Sequence, residues 1–341
     1  MSSTRKDRSS QKSWAARLAV LVVASFGAIV ALEATIRAVD LWGVSYFTDV
    51  TRYFNEAIVV PPEAGHAEGH LFEHAPGRRI EFETFRWRTD ERGLRIPFAE
   101  VTPEPAETTI LFLGDSVTLA WGVDARAAWI ERVERTLDVE RPGGVECLNA
   151  GHLRYDTAQA AGYLAAKGDA LEPDLVVLTF VTNDLEDSWE IYREVAALLA
   201  APPPSGLDAW RGRAREWTRG LRNAASVVEQ KRKDARIEPV ADATVLPGYA
   251  DDWARCEAAL ERLLAGVDAL GAKLVVLDHS QPAVPDLVDW CNAHGVPCTD
   301  FRFTDEEWTR GITNSVADKH ANALGNELLA AKALPVLRAV L

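Results

Sequence analysis

A doubly wound α/β domain on a parallel sheet is the fold class this sequence predicts, and two patterns predict it. From Thr108 onward, short apolar runs alternate with longer segments of helical period, the order that gives a parallel sheet. The runs at 108–113, 145–149, 174–181, 273–278 and 296–300 are mostly continuously apolar, as strands must be when helices cover both faces. Candidate helices lie at 127–138, 156–167, 251–269, 284–293 and 322–338. In such a sheet the functional site lies beyond the carboxyl ends of the strands.

The N-terminus stands apart from this domain. Arg5, Lys6, Arg8, Lys12 and Arg17 precede an uncharged apolar run from Leu18 to Leu32. A full span needs roughly 20 residues. The run reaches that length because Arg17 can snorkel outward and Glu33 and Arg37 are spaced to pair on one helix face. Trp14 and Trp42 then mark the two interfaces. No small-x-small cleavage site follows the run, so the expectation is a cytoplasmic tail over 1–13 and an uncleaved transmembrane anchor over 14–39. A cleaved signal and a buried helix are the alternatives. The cationic end stays in the cytoplasm. In a bacterial-style chain this puts the anchor in the inner membrane and the rest of the protein in the periplasm.

Residues 40–105 read as a juxtamembrane segment with a small hairpin. Ile80–Arg88 alternates in period two and runs into Thr89-Asp90-Glu91-Arg92-Gly93, a turn signal. Pro103 and Pro105 mark a boundary before a domain expected at 106–341. Within it, 185–250 breaks the strand–helix alternation as a helical insertion or cap opened by Pro202-Pro203-Pro204-Ser205-Gly206. Arg211, Arg213, Arg215, Arg219, Arg222, Lys231, Arg232, Lys233 and Arg236 make it locally basic. The patch reads either as a solvated helix face or as a cap resting near anionic lipid headgroups or an anionic substrate.

With 341 residues, 48% of them hydrophobic, the chain can bury one large core plus appendages. A net charge of −14 argues against a nucleic-acid partner. Cys147, Cys256, Cys291 and Cys298 suit either compartment. They read as buried thiols or as disulfides, with Cys291 and Cys298 nearest in sequence.

The chemistry starts at Gly114-Asp115-Ser116, where the first core run ends in glycine and delivers a serine to the next element. A hydroxyl there sits beyond a rigid strand, with backbone N–H groups free at a helix start to meet an oxyanion. Serine needs a base. His320 has a carboxylate, Asp318, two residues before it, in a segment that follows the last strand and opens the final helix. Asp318 is placed to hold the tautomer and stabilise the imidazolium. Asn149-Ala150-Gly151 follows the second strand and Asn183-Asp184 the third. With the N–H of Ser116, the N–H of Gly151 and the amide of Asn183 make a candidate three-donor oxyanion hole. His152, beside Gly151, is a candidate substrate contact. His66, His70 and His74 recur every four residues, but Gly65, Gly69 and Pro76 argue for an exposed loop rather than a metal-binding helix. His279 and His294 have no special setting.

These residues resemble the SGNH hydrolases, the GDSL-like esterase and lipase superfamily, and its membrane-tethered bacterial members in particular. The resemblance covers Thr108 to the C-terminus, about two-thirds of the chain, on Gly114-Asp115-Ser116, Asn149-Ala150-Gly151, Asn183-Asp184 and Asp318-x-His320. It implies a flavodoxin-like three-layer α/β/α sandwich. It also implies Ser116 as nucleophile, Gly151 and Asn183 as oxyanion donors, and a His320–Asp318 pair completing the triad, with no cofactor or metal. Two positions depart from the usual pattern. Val181 stands where a glycine often precedes the asparagine, and Ala317 stands where the acid often lies, leaving Asp318 in that role. Asp90-x-x-Gly93-x-Arg95 also resembles a segment of tethered members, with packing as its expected use. The resulting expectation is a membrane-anchored extracytoplasmic serine esterase acting on O-acyl groups of envelope glycans or on lipid esters. An O-acyltransferase with the same triad and a non-enzymatic glycan-binding module are the alternatives.

Overall fold

The computed structural model describes residues 4–61, 70–99, 106–141, 143–186, 205–236, 240 and 242–341. The expected breaks at Pro103, Pro105 and Pro202–Pro204, and His66, lie outside the described residues.

The chain divides into two units, one of Met1–Phe47 with Pro202–Ile237 and one of Thr48–Ala201 with Glu238–Leu341. This differs from the division read in the sequence. From Thr48 onward the segment expected to be juxtamembrane belongs with the sheet, whereas most of the expected insertion belongs with the N-terminal helix.

In the larger unit, short strands precede the sheet: β1 (Ile58–Val59) pairs antiparallel with β2 (Glu73–His74), and β3 (Arg79–Glu81) with β4 (Arg86–Arg88). Ile80–Arg88 is therefore not one strand of a hairpin but a whole hairpin. Its alternation slips at the tip, where the Asp49 carboxylate accepts the N–H groups of Glu83 and Thr84 at 2.8 and 3.0 Å, while the Phe85 carbonyl accepts the Phe82 N–H. The expected turn after Thr89 also forms, with one antiparallel bridge from Thr89 to Arg95.

The main sheet comprises β5 (Thr108–Gly114), β6 (Val145–Asn149), β7 (Leu175–Phe180), β8 (Lys273–Asp278) and β9 (Cys298–Asp300), in the order β6-β5-β7-β8-β9 and parallel throughout. Numbered within the sheet this is 2-1-3-4-5, the flavodoxin-like winding with its switch point beside the first strand. Ile110, Phe112, Leu175, Val177, Val275 and Leu277 share a buried cluster with Trp129, Val133 and Leu137 of the helix Trp129–Glu140 and with Leu329, Ala333 and Leu337 of the helix Ala323–Val340. Alternate strand residues point to the other face, against which the mutually packed helices Thr157–Leu171 and Tyr249–Ala269 lie. Each fully buried Val or Leu contributes roughly 1.5–3 kcal/mol, so two covered faces explain why the central strands β5, β7 and β8 keep their polar residues at or next to their ends.

The segments before the sheet are tied into it. Tyr53 donates its hydroxyl to His74 Nε2 at 2.7 Å and accepts the Leu153 N–H at 3.1 Å. The His74 ring stacks on His152 at 3.8 Å, and His152 on Tyr155 at 4.2 Å. His70 and His74, expected in an exposed loop, are instead buried, because Leu71 and Phe72 between them are core residues. Gly65 and Gly69 lie outside the described residues, and a glycine- and proline-rich composition says nothing about burial. All four cysteines are free thiols.

At the edge strand β6, the Glu134 carboxylate accepts the Cys147 N–H at 2.7 Å. Burial, aided by Glu131, Glu146 and Asp138 nearby, raises its pKa from 4.5 to about 7. Between those values the folded chain holds a proton that the unfolded chain has released. The stability this carboxyl contributes is complete below pH 4.5 and is lost as pH rises through 7. Glu134→Gln should remove that slope and raise the unfolding free energy at pH 8 by on the order of 2 kcal/mol, measured by urea denaturation at pH 5 and pH 8.

Candidate active site

Ser116 leaves the end of β5 through Gly114, whose φ is +139°. A Cβ on Gly114 would lie 2.5 Å from Thr118 Oγ1 and 2.7 Å from the Thr179 carbonyl oxygen, so the turn out of the sheet requires glycine. Asp115 caps the one-turn helix Ser116–Leu119, its Oδ1 accepting the Val117 N–H at 2.8 Å. Ser116 is then the first helical residue, and its N–H has no intrahelical acceptor. Trp129 Nε1–H donates to the Val117 carbonyl at 2.8 Å and holds the turn from the far side.

His320 arrives from the other end of the chain. The segment before the last helix closes on itself: Asn314 N–H donates to the His320 carbonyl, Asn322 N–H to that of Ile312, and Thr313 bridges Ala321. Asn322 also caps the helix Ala323–Val340 by accepting the N–H groups of Leu324 and Gly325. In this frame Asp318 Oδ1 accepts His320 Nδ1–H at 2.6 Å and the His320 backbone N–H at 3.1 Å. Its other oxygen accepts from Asn314 Nδ2 at 3.0 Å. With Nδ1 protonated by that contact, Nε2 is the acceptor, and it lies 2.8 Å from Ser116 Oγ. The structure therefore brings Ser116, His320 and Asp318 together as a hydrogen-bonded relay. Ala317 supplies no acid, and the carboxylate that meets His320 is that of Asp318.

Of the oxyanion candidates, Asn183 sits in the 3₁₀ turn Thr182–Leu185 directly after β7. Gly114 and Thr179 are paired across β5 and β7, so residues 115–116 and 180–183 leave the sheet side by side. Val181 is extended, with φ −131°, and donates its N–H to Asp184 Oδ2 at 2.7 Å. A glycine is not needed there. Asp184 also accepts the Thr157 hydroxyl at 2.8 Å, and burial holds its pKa well above the usual carboxylate range. Gly151 approaches the turn that carries Ser116 so closely that a Cβ would lie 2.3 Å from the Leu119 nitrogen. Its N–H donates to Asn149 Oδ1 at 3.1 Å, so it reaches an oxyanion only as a shared donor.

His152 does not reach the site. Its ring is buried against His74 and Tyr155, with Nδ1–H donating to the Ala150 carbonyl at 2.8 Å and Nε2 accepting the His74 N–H at 3.1 Å. Burial lowers its pKa to about 3, so it is neutral. Adjacency to Gly151 in sequence misled, because the chain turns inward after Gly151. His70 lies 3.3 Å from Glu73. Among the described residues no group of three or more His, Cys, Asp or Glu side chains could hold a metal ion.

No family model matches this chain, and no curated protein does. Among solved structures, it is similar to the psychrotrophic esterase EstA from Pseudoalteromonas (14% identity over 69% of this chain and 98% of that one, TM-score 0.44). It is also similar to a G-D-S-L-family lipolytic protein from Veillonella parvula (14% identity, 68% and 98%, TM-score 0.41). A third is the acetylxylan esterase Axe2 from Geobacillus stearothermophilus (13% identity, 69% and 95%, TM-score 0.40). The four SGNH-like blocks stand at the carboxyl ends of β5, β6 and β7 and in the loop before the last helix.

Sequence reasoning missed two residues that hold these blocks in place. Asn314 orients Asp318 and also donates to the Trp121 carbonyl at 3.3 Å. Arg95, for which only packing was expected, is buried, and its guanidinium donates to the carbonyls of Leu119, Ala120 and Val123. Its backbone N–H donates to the Asn149 carbonyl at 3.0 Å, adding its segment to the open edge of β6. The Asp90-x-x-Gly93-x-Arg95 pattern was the available signal.

Proposed function

We propose that this chain is a serine esterase tethered to the inner membrane by its N-terminal helix and working outside the cytoplasm on O-acyl groups of envelope glycans or on lipid esters. The relay from Ser116 Oγ to His320 Nε2 at 2.8 Å, with Nδ1 on Asp318 at 2.6 Å, carries the reading. A serine hydroxyl is a poor nucleophile until a neighbouring base takes its proton. On attack, Ser116 Oγ bonds the ester carbon as its proton passes to His320 Nε2, and Asp318 stabilises the imidazolium. The Ser116 N–H and the Asn183 amide meet the oxyanion, with the Gly151 N–H shared. His320 then protonates the departing alcohol, and water, deprotonated by the same imidazole, releases the acid. The segment Ala16–Ala38 of the N-terminal helix is long and apolar enough to cross a membrane.

A fluorophosphonate probe applied to the full-length chain tests the centre: rapid, stoichiometric labelling mapped to Ser116 is expected, and an unlabelled Ser116 would refute the reading. An ester panel varying acyl length and alcohol then separates glycan acyl groups from lipid esters. Asn183→Ala should lower kcat by about 10²- to 10³-fold with little change in KM, since the amide acts on charge that develops only in the transition state. Steady-state kinetics on a short-chain nitrophenyl ester check this.

A further inference from the structure

We infer that the helix Gly206–Trp217 lies in the headgroup region of the bilayer that the N-terminal helix crosses, as a second membrane contact. The inference rests on the anchored reading above. Leu207, Trp210, Ala214 and Trp217 recur along this helix at the spacing of a single stripe. Leu207, Trp210 and Trp217 are exposed by 61%, 60% and 72%, an unusual amount of bare apolar surface for so short a helix. At 100° per residue, Arg211 and Arg213 flank the stripe on its two sides. An apolar stripe ending in tryptophans and edged by arginines suits an interface whose inner side is acyl chain and whose outer side is phosphate.

Contacts within the same unit fix the depth of this helix. The Glu33 carboxylate, on the N-terminal helix, accepts the N–H groups of Gly220 and Leu221 at 2.7 and 2.8 Å, capping the helix Arg219–Asp234 that follows. Gly220 approaches Ile36 so closely that a Cβ would lie 3.1 Å from its Cγ2. Arg37 pairs with Glu33 at 2.6 Å and donates to the Glu216 carbonyl. The last turn of Gly206–Trp217 is thus pinned beside residues 33–37, near the end of the apolar segment Ala16–Ala38. Twenty-odd helical residues at 1.5 Å each match the roughly 30 Å hydrocarbon core, so residues 33–37 lie where hydrocarbon gives way to headgroups. Trp42, with Lys231 5.6 Å above its ring, marks the same level.

The test uses the full-length chain in phosphatidylcholine–phosphatidylglycerol vesicles with and without acyl chains brominated near the headgroup. Subtracting the emission of a Trp210→Phe/Trp217→Phe double variant isolates those two indoles. Their emission should fall by roughly twofold in brominated vesicles, and by less when phosphatidylglycerol is replaced by phosphatidylcholine. Unquenched difference emission, whether red-shifted in water or blue-shifted beneath a second copy of the chain, overturns the inference. The double variant keeps Trp14 and Trp42, so its own quenching reports the anchor. If that quenching is also missing, the anchored reading fails as well.

Discussion

Ser116→Ala in the full-length chain should lower kcat on a short-chain nitrophenyl ester by on the order of 10⁴- to 10⁶-fold, with the fold intact. The substitution removes a single oxygen. That oxygen donates its one proton to His320 Nε2 at 2.8 Å and lies 3.1 Å from Asp115 Oδ2. His320 keeps its contact with Asp318, and the caps on Val117 and on the last helix are untouched. The melting temperature should therefore move little, and the loss reports chemistry rather than folding. A residual rate of about 10³-fold over water should persist, because the oxyanion donors still bind the transition state. His320→Ala alone should cost about as much, and the double variant little more, since nucleophile and base act as one unit. Additive losses, or a Ser116→Ala enzyme with wild-type turnover, would place the chemistry elsewhere.

What the sequence showed and what it hid follow from how each feature is written into it. The central core strands are legible because burial on both faces demands continuous apolar runs, and Ser116, His320 and Asp318 because they sit next to recognisable element ends. The Ile80–Arg88 hairpin was misread because Phe82 and Phe85 keep an apolar look across a tip that reverses the chain. His152 was misplaced because neighbours in sequence need not share a cavity. The occupied N–H of Gly151 was invisible, since it depends on the rotamer of Asn149. Asn314 and Arg95 were hidden for a related reason: several of their acceptors are backbone carbonyls, which every residue carries and no pattern marks.

Arg95→Met should destabilise the larger unit by about 3 kcal/mol and lower kcat at least tenfold. Arg95 is 4% exposed, and burial lowers its pKa only to about 10, so a cation is held inside the protein at neutral pH. Burying such a charge costs several kcal/mol unless its donors are used. Here its two terminal nitrogens serve the carbonyls of Leu119, Ala120 and Val123, at and just past the end of the one-turn helix that carries Ser116, while its Nε is buried without a partner among the described residues. The carbonyls of Ser116 and Val117 accept the N–H groups of Trp121 and Ala120, but those of Leu119 and Ala120 lie past the last turn, where the helix supplies no donor. Methionine fills most of the arginine stem's volume without restoring a donor. Each stranded carbonyl then costs roughly 1–3 kcal/mol, partly offset by relief of the buried charge. The kinetic effect comes from position. Gly151 already lies against the Leu119 nitrogen with no room for a Cβ, so movement of this turn displaces Ser116 relative to both His320 and the oxyanion donors. KM should change little, because no substrate contact is lost. Arg95→Lys, which keeps the charge but not the planar fork, should fall between the two. Urea denaturation and steady-state kinetics on the same preparations decide the matter. An Arg95→Met protein with wild-type midpoint and kcat would show that the Ser116 turn holds its shape without the guanidinium.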